Sequence, residues 1–173
     1  MVEIRPGCAR DLCFVAANLR DEDIREIFAS AVLESATQAA MLSWLSSGPE
    51  WCWTAWLDDQ PQAAFGLSSV GALQPHILSA WAWGTPRFKR CIPAMTRFIK
   101  AEWPQMVLSV GVTRVEARSL RDHDLAHKWL SGLGARKECE LPEFGVNRET
   151  FELWAFLKRD FDNVLLDENA GRS

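Results

Sequence analysis

Three groups of residues in this chain have the types and spacing to do chemistry. The first is Gly84-Thr85-Pro86-Arg87 with Lys89 and Arg90 just beyond it. Thr is a good helix N-cap and Pro suits the first helical position, so this run predicts a helix start. A helix start offers backbone N–H groups and the positive end of the helix dipole, and three cations stand beside this one. Together they could hold a phosphate. The second group is Glu116 and Asp122, which are of the right type for a general base. The plainer reading of both, solvated charges at a strand end and a helix start, is favoured. The third is His123 and His127, four residues apart on an expected helix beside Asp122 and Asp124. That face could hold a metal ion, but no third ligand has a recognisable spacing. Two surface histidines are therefore expected, and no metal.

Other residues narrow the chemistry by their absence or arrangement. The chain has nine Trp and no Tyr, which removes one common general acid outright. Its five cysteines (Cys8, Cys13, Cys52, Cys91 and Cys139) form no CxxC pair and read as reduced, mostly buried small residues. The basic positions Arg87, Lys89, Arg90, Arg97 and Lys100 meet no acid before Glu102. They could face phosphates, nucleic acid or an acidic partner, although the solvated face of an amphipathic helix is the favoured reading. Trp51 and Trp53, and Trp81 and Trp83, occupy alternate positions on two expected strands, so each pair faces one side of a sheet. Most are expected in the core. Some could anchor a protein interface, as Trp and Arg commonly do.

Length and composition bound the whole. The 173 residues predict one domain, and 48% hydrophobic with 24% charged residues is an ordinary globular balance. Nineteen basic against 23 acidic residues, net −4, argue against a general nucleic-acid coat. No apolar run is long enough to span a bilayer. Glu3 and Arg5 interrupt any signal peptide, so synthesis in the cytoplasm of the producing cell is expected.

The elements that must position these residues follow from periodicity and turn chemistry. Val2–Arg5 predicts a strand closed by Pro6-Gly7. Two helices then carry Leu12, Val15, Ala16 and Leu19, and Ile24, Ile27, Phe28 and Ala31. A third helix spans about Ser35–Ser47. Trp51–Leu57 and Gln62–Ser69 predict a hairpin, and Ile77–Trp83 a further strand ending at Gly84. Phe88, Cys91, Ile92, Met95, Phe98 and Ile99 mark one buried helix face, with Pro93 expected to kink it. Val107–Val115 is expected as strand, a short helix follows around Ala126–Leu133, and Arg136–Leu141 and Glu149–Phe156 complete the pattern. This order predicts a mixed α/β sheet with helices on its faces.

That order resembles the GNAT fold of acetyl-CoA-dependent N-acetyltransferases. EIRPGCARDL at the start is similar to the family's first strand and turn into its first helix. AHKWLSGLGA (Ala126–Ala135) resembles the family's A-x-x-L-Y-E-K-L-G-F helix end. The likeness covers about Val2–Lys158. Within that superfamily the chain resembles more closely an internal virion protein family of short-tailed bacteriophages. AANLRDEDIREIFAS (Ala16–Ser30) is similar to that family's AANMRxADxxEIWAS signature. PEWCWTAWLDDQPQAAFGL (Pro49–Leu67), SAWAWGT (Ser79–Thr85) and HKWLSGLGA (His127–Ala135) supply three further landmarks in order.

The resemblance implies a GNAT-like, mostly antiparallel sheet flanked by helices over 1–158. The acidic tail beyond it, 159–173, could dock on a neighbour through Phe161, Val164, Leu165 and Leu166 or equally be a frayed terminus. It also implies a residual CoA phosphate site at Trp83, Gly84, Thr85 and Arg87. Set against the family's Q/R-x-x-G-x-G/A cradle, this stretch has one glycine, and Pro86 removes an N–H. Leu130 stands where the family commonly places its tyrosine acid, leaving Ser131, Cys139 or water for that role. These departures favour a non-enzymatic, degenerate GNAT domain. It would act through contacts with other virion or core proteins in assembly or genome ejection, and could occupy the phage virion. No cofactor is then required. The alternative is an acetyl-CoA-dependent N-acetyltransferase encoded by the phage, and a broader option is a module that keeps CoA or another anion as a structural ligand.

Overall fold

The computed structural model describes residues 1–163. In chain order its elements are β1 (Glu3–Pro6), α1 (Ala9–Ala17), α2 (Asp21–Ser30), α3 (Ala36–Ser47), β2 (Cys52–Leu57), β3 (Gln60–Ser69), β4 (Ile77–Gly84), α4 (Phe88–Ser109), β5 (Arg114–Leu120), α5 (Asp124–Leu133), β6 (Arg136–Leu141) and β7 (Phe151–Leu157). The strands form one seven-stranded sheet in the order β1-β2-β3-β4-β5-β7-β6. Every neighbouring pair is antiparallel except β4 and β5. A parallel neighbour needs a crossover, and α4 supplies it.

Alternation along the strands assigns the two faces. Trp53, Phe65 and Leu67 point to the face covered by α4, where they pack on Met95, Ile99 and Trp103. Cys52, Ala64 and Trp83 point the other way, into a second core with Leu12, Val15 and Ala40 of α1 and α3. Each tryptophan pair keeps to one side as expected: Trp51 and Trp53 with α4, Trp81 and Trp83 with α1 and α3. Trp81 and Trp83 stack with ring centroids 5.6 Å apart.

Several sequence expectations shift. The α4 helix begins at Phe88, capped by Arg87, and not at Thr85-Pro86. Thr85 is held in strand continuation by Gln62: its N–H donates to the Gln62 carbonyl (2.9 Å) and its hydroxyl to the Gln62 side-chain oxygen (2.6 Å). The same helix runs on to Ser109, so Val107–Ser109 is helical and β5 starts only at Arg114. Burial overrides β-propensity there, because Trp103 and Val107 prolong the Phe88–Cys91–Met95–Ile99 stripe at spacings of four. The helix is unbroken across Pro93, whose exposed outer position leaves the unpaired carbonyl one turn earlier to water. Of the cysteines, only Cys52 and Cys91 are buried, whereas Cys8 and Cys139 are exposed. Phe161 is buried and stacks on Phe156 at 6.1 Å, so the start of the acidic tail belongs to the core. Val164, Leu165 and Leu166 lie outside the described residues. No described helix is long and apolar enough to cross a membrane.

Candidate active site

The parallel seam between β4 and β5 is short. Ile77–Ala80 pairs with Arg114–Ala117, and beyond Ala80 and Ala117 the two strands separate. A wedge opens between Trp81–Gly84 and Arg118–Leu120. It forms a cavity of about 390 Å³, within the lower range of ligand pockets. Its wall draws on both faces of the sheet, with Ile27, Ala39 and Leu42 on one side and Ile99, Trp129 and Leu130 on the other.

The wide end of the wedge is bridged by α2. Gly84 directs both backbone groups to that helix: its N–H donates to Asp23 Oδ2 (2.7 Å) and its carbonyl accepts from Arg20 N–H (3.0 Å). By strand alternation the N–H and C=O of Ala82 lie on the same edge, facing the gap. On the β5 side, Glu26 Oε2 accepts from Leu120 N–H (2.8 Å), Ser119 Oγ (2.7 Å) and His123 Nδ1 (2.9 Å). Asp23 and Glu26 are one turn apart on α2, so a single helical face reaches both strands.

One buried and one part-buried charge pair result. Arg20 grips Asp23 with Nε (2.8 Å) and Nη2 (2.7 Å), and its guanidinium lies 4.1 Å over the Phe88 ring. Burial pushes the Asp23 carboxyl above its ordinary range, and the Arg20 hydrogen bonds only partly offset this. Burial works against charging His123, but its hydrogen bond to Glu26 and the Glu26 charge outweigh that and hold the ring above its usual value. Glu26 accepts at Nδ1, so the neutral ring carries its proton there and leaves Nε2 as a bare acceptor. Buried Nε2 of His123 and Nη1 of Arg20 have no hydrogen-bond partner among the described residues.

Other candidate residues are placed differently from their sequence reading. Trp83 and Thr85 are buried, and Trp83 lines the wedge. Arg87 pairs with Asp58 at 2.7 Å. Lys89, Arg90, Arg97 and Lys100 are exposed, and no carboxylate among the described residues lies within ion-pair distance of them. Glu116 is tied to Arg114 (2.7 Å) and Arg118 (2.9 Å). Asp122 bonds Arg25, which holds its carboxyl below the usual range. Neither acid approaches the wedge as a free base. The histidines are not a surface pair: His123 is 6% exposed, and His127 stacks on Trp154 at 5.4 Å. Leu130 lines the wedge, while Ser131 and Cys139 are exposed outside it. Sequence reasoning missed Arg20, Asp23 and Glu26 altogether. The available signal was Asp23, which falls among the apolar positions of α2 and stands three residues after an arginine.

The turn before α4 bears on whether CoA fits. A pyrophosphate cradle needs open N–H groups, yet Gly84 N–H serves Asp23 and Thr85 N–H serves Gln62. Pro86 has none. Arg87 N–H donates to Thr85 Oγ1 (3.2 Å), Phe88 N–H to the Thr85 carbonyl (2.9 Å), and Arg90 N–H to the Arg87 carbonyl (2.9 Å). A Cβ on Gly84 would stand 2.6 Å from both the Gln62 carbonyl oxygen and Phe88 Cδ2. The glycine is therefore filled by protein. Of the N–H groups from Gly84 to Arg90, only that of Lys89 is left without a partner among the described residues, too few for a pyrophosphate cradle at this turn, whereas the strand edge at Ala82 stays open.

No protein-family model matches the sequence, nor does any curated protein. Solved structures do match. A GNAT superfamily phosphinothricin acetyltransferase from Sinorhizobium meliloti, in complex with AcCoA, superposes with a TM-score of 0.70 at 11% identity, over 90% of this chain and 88% of that one. An acetyltransferase (GNAT family) from Bacillus anthracis gives 0.66 at 13% identity, over 91% and 95%. Ard1 from Thermoplasma volcanium gives 0.66 at 15%, over 90% and 97%. The chain has the GNAT acetyltransferase fold. The wedge lies where the β4/β5 pair separates, and the turn before α4 occupies the stretch read from sequence as an anion site. At these identities the likeness establishes architecture, and function rests on the site.

Proposed function

We propose that this GNAT-fold chain transfers an acyl group from a thioester of the acetyl-CoA class to an amine inside the β4/β5 wedge. The observation that carries this is the cavity wall drawn from both faces of the sheet, which allows two reactants to meet between Ala82 and Ser119. The thioester supplies an activated carbonyl and a thiolate leaving group. Ala82 would bind the arm through its edge N–H and C=O, and the aromatic lining would exclude water. His123, oriented by Glu26, would take the amine proton on Nε2 as the nitrogen–carbon bond forms. It would return that proton to sulfur as the carbon–sulfur bond breaks. One imidazole then serves as base and acid, and no tyrosine is needed.

Incubating the protein with acetyl-CoA and a panel of amines, and measuring thiol release with mass-spectrometric detection of the amide, tests this. Turnover is expected, with His123→Gln lowering it about 10²-fold or more. Thiol release that is unchanged in the variant would remove His123 from the chemistry, and none with any amine would remove the enzyme reading.

The saturated turn before α4 and the missing tyrosine favour a second reading, a domain that keeps the architecture and acts through protein contacts. The setting inside a phage particle rests on the four sequence landmarks. This reading expects the chain to co-purify with virion or core proteins at fixed stoichiometry, and an unaltered yield in His123→Gln particles.

A further inference from the structure

From the closed turn before α4 we infer a narrower donor chemistry, resting on the acyl-transfer reading: the donor is held by its pantetheine arm alone, and its nucleotide end makes no productive contact. An acyl-pantetheine thioester, free or carried on another protein, then serves as well as acetyl-CoA.

Three observations converge. Five of the six N–H groups from Gly84 to Arg90, all but that of Lys89, are already spent within the protein, and Pro86 has none to offer. The space a phosphate would need against Gly84 is taken by the Gln62 carbonyl and the Phe88 ring. Of the cations beside this turn, Arg20 is paired with Asp23 and Arg87 with Asp58, while Lys89 and Arg90 lie exposed on α4. Asp23 also places a carboxylate against Gly84 N–H, and a second anion at that position would be repelled. The wedge itself stays open beyond the paired Ala80 and Ala117, small residues that line its narrow end, and Ala82 stands at the free strand edge. An amide-bearing arm can add to that edge as a further strand would, while the terminal phosphates remain in solvent.

Affinities decide the question without turnover. Calorimetric titrations would compare acetyl-CoA, S-acetyl-pantetheine and adenosine 3′,5′-bisphosphate on the full chain. The two thioesters are expected to bind within about fivefold of one another, and the bisphosphate not to bind detectably. A working cradle of two charge-assisted hydrogen bonds would instead separate the thioesters by about a hundredfold or more. That result, or binding of the bisphosphate, overturns the inference while leaving acyl transfer standing. Failure of both thioesters to bind overturns the two together. Arg87→Ala supplies a second check: acetyl-CoA affinity is expected to be unchanged, and a tenfold loss would assign the phosphates a site. Comparing S-acetyl-pantetheine with an acetylated holo carrier protein then distinguishes a free arm from a protein-borne one. Preference for either source supports arm-only binding.

Discussion

At the scale of single residues, Gly84 and His123 exchange the roles their sequence context suggests. Gly84 reads as a ligand-facing glycine, but the Gln62 carbonyl and Phe88 ring occupy the place of its missing side chain. Gly84→Ala should therefore destabilise the protein with no ligand present, by about 1–3 kcal/mol for overpacking. A thermal melt without ligand, falling by roughly 2–4 °C per kcal/mol, checks this. His123 reads as a surface histidine and is buried against Glu26. Its folded-state affinity for a proton is raised above the ordinary 6.5. Its stabilising contribution is thus complete below about pH 6.5 and lost as pH rises through the folded value. Catalysis by neutral Nε2 should run oppositely, rising over that interval. Melting wild type and His123→Gln from pH 5.5 to 8.5 should show the wild-type advantage shrinking with pH, while wild-type turnover grows.

The residue types at the wedge were legible in part. Trp83 lines it, at the end of the strand read from Ile77–Trp83, but residues 20–26 form a plain amphipathic pattern. Within DEDIREI, Asp23 among the apolar positions is the one local hint, and nothing there names what satisfies either carboxylate. That depends on Gly84 and Leu120, far away in the chain, whose N–H groups Asp23 and Glu26 accept. Sequence periodicity reports burial of apolar side chains and is silent on a buried acid satisfied by a distant backbone.

Elements were more legible where their signals were local. Ser35 caps α3 by accepting from Gln38 N–H (3.2 Å), and Gly134 closes α5 in the left-handed region at φ 105°, both at positions that chemistry marks in advance. The end of α4 was not, because Val107 has strand propensity and a helical burial position at once. Pro93 was no better guide, since a solvated outer face tolerates it, and the helix also runs through the buried Pro104. α2 shows the energetic side of such long-range placement. Its Arg20–Asp23 pair leaves only 8% and 2% of the side chains exposed. Asp23→Asn removes one charge from a buried pair, and should cost about 3–5 kcal/mol. Urea unfolding measures this as a lower midpoint at constant slope.

At the scale of the molecule, mixed α/β layering and the order of elements followed from periodicity, while the splay of β4 from β5 did not. Both strands read as continuous, and only their pairing shows where they part. The seam that joins them has four residue pairs, against seven on either side, between β3 and β4 and between β5 and β7. Native-state amide exchange should therefore be faster in the β4–β5 seam than in β3–β4, and the reverse order would contradict this account of the sheet. The sheet is mechanically two leaves, β1 to β4 and β5 to β6, joined at a narrow hinge and latched at the far end by α2. A hinge placed at the narrow end of the cavity turns small rotations into large changes of width at its mouth. Filling the wedge and releasing the latch then become one coordinate, so strain applied at α2, far along the chain from Ala82, would set how wide that opening stands.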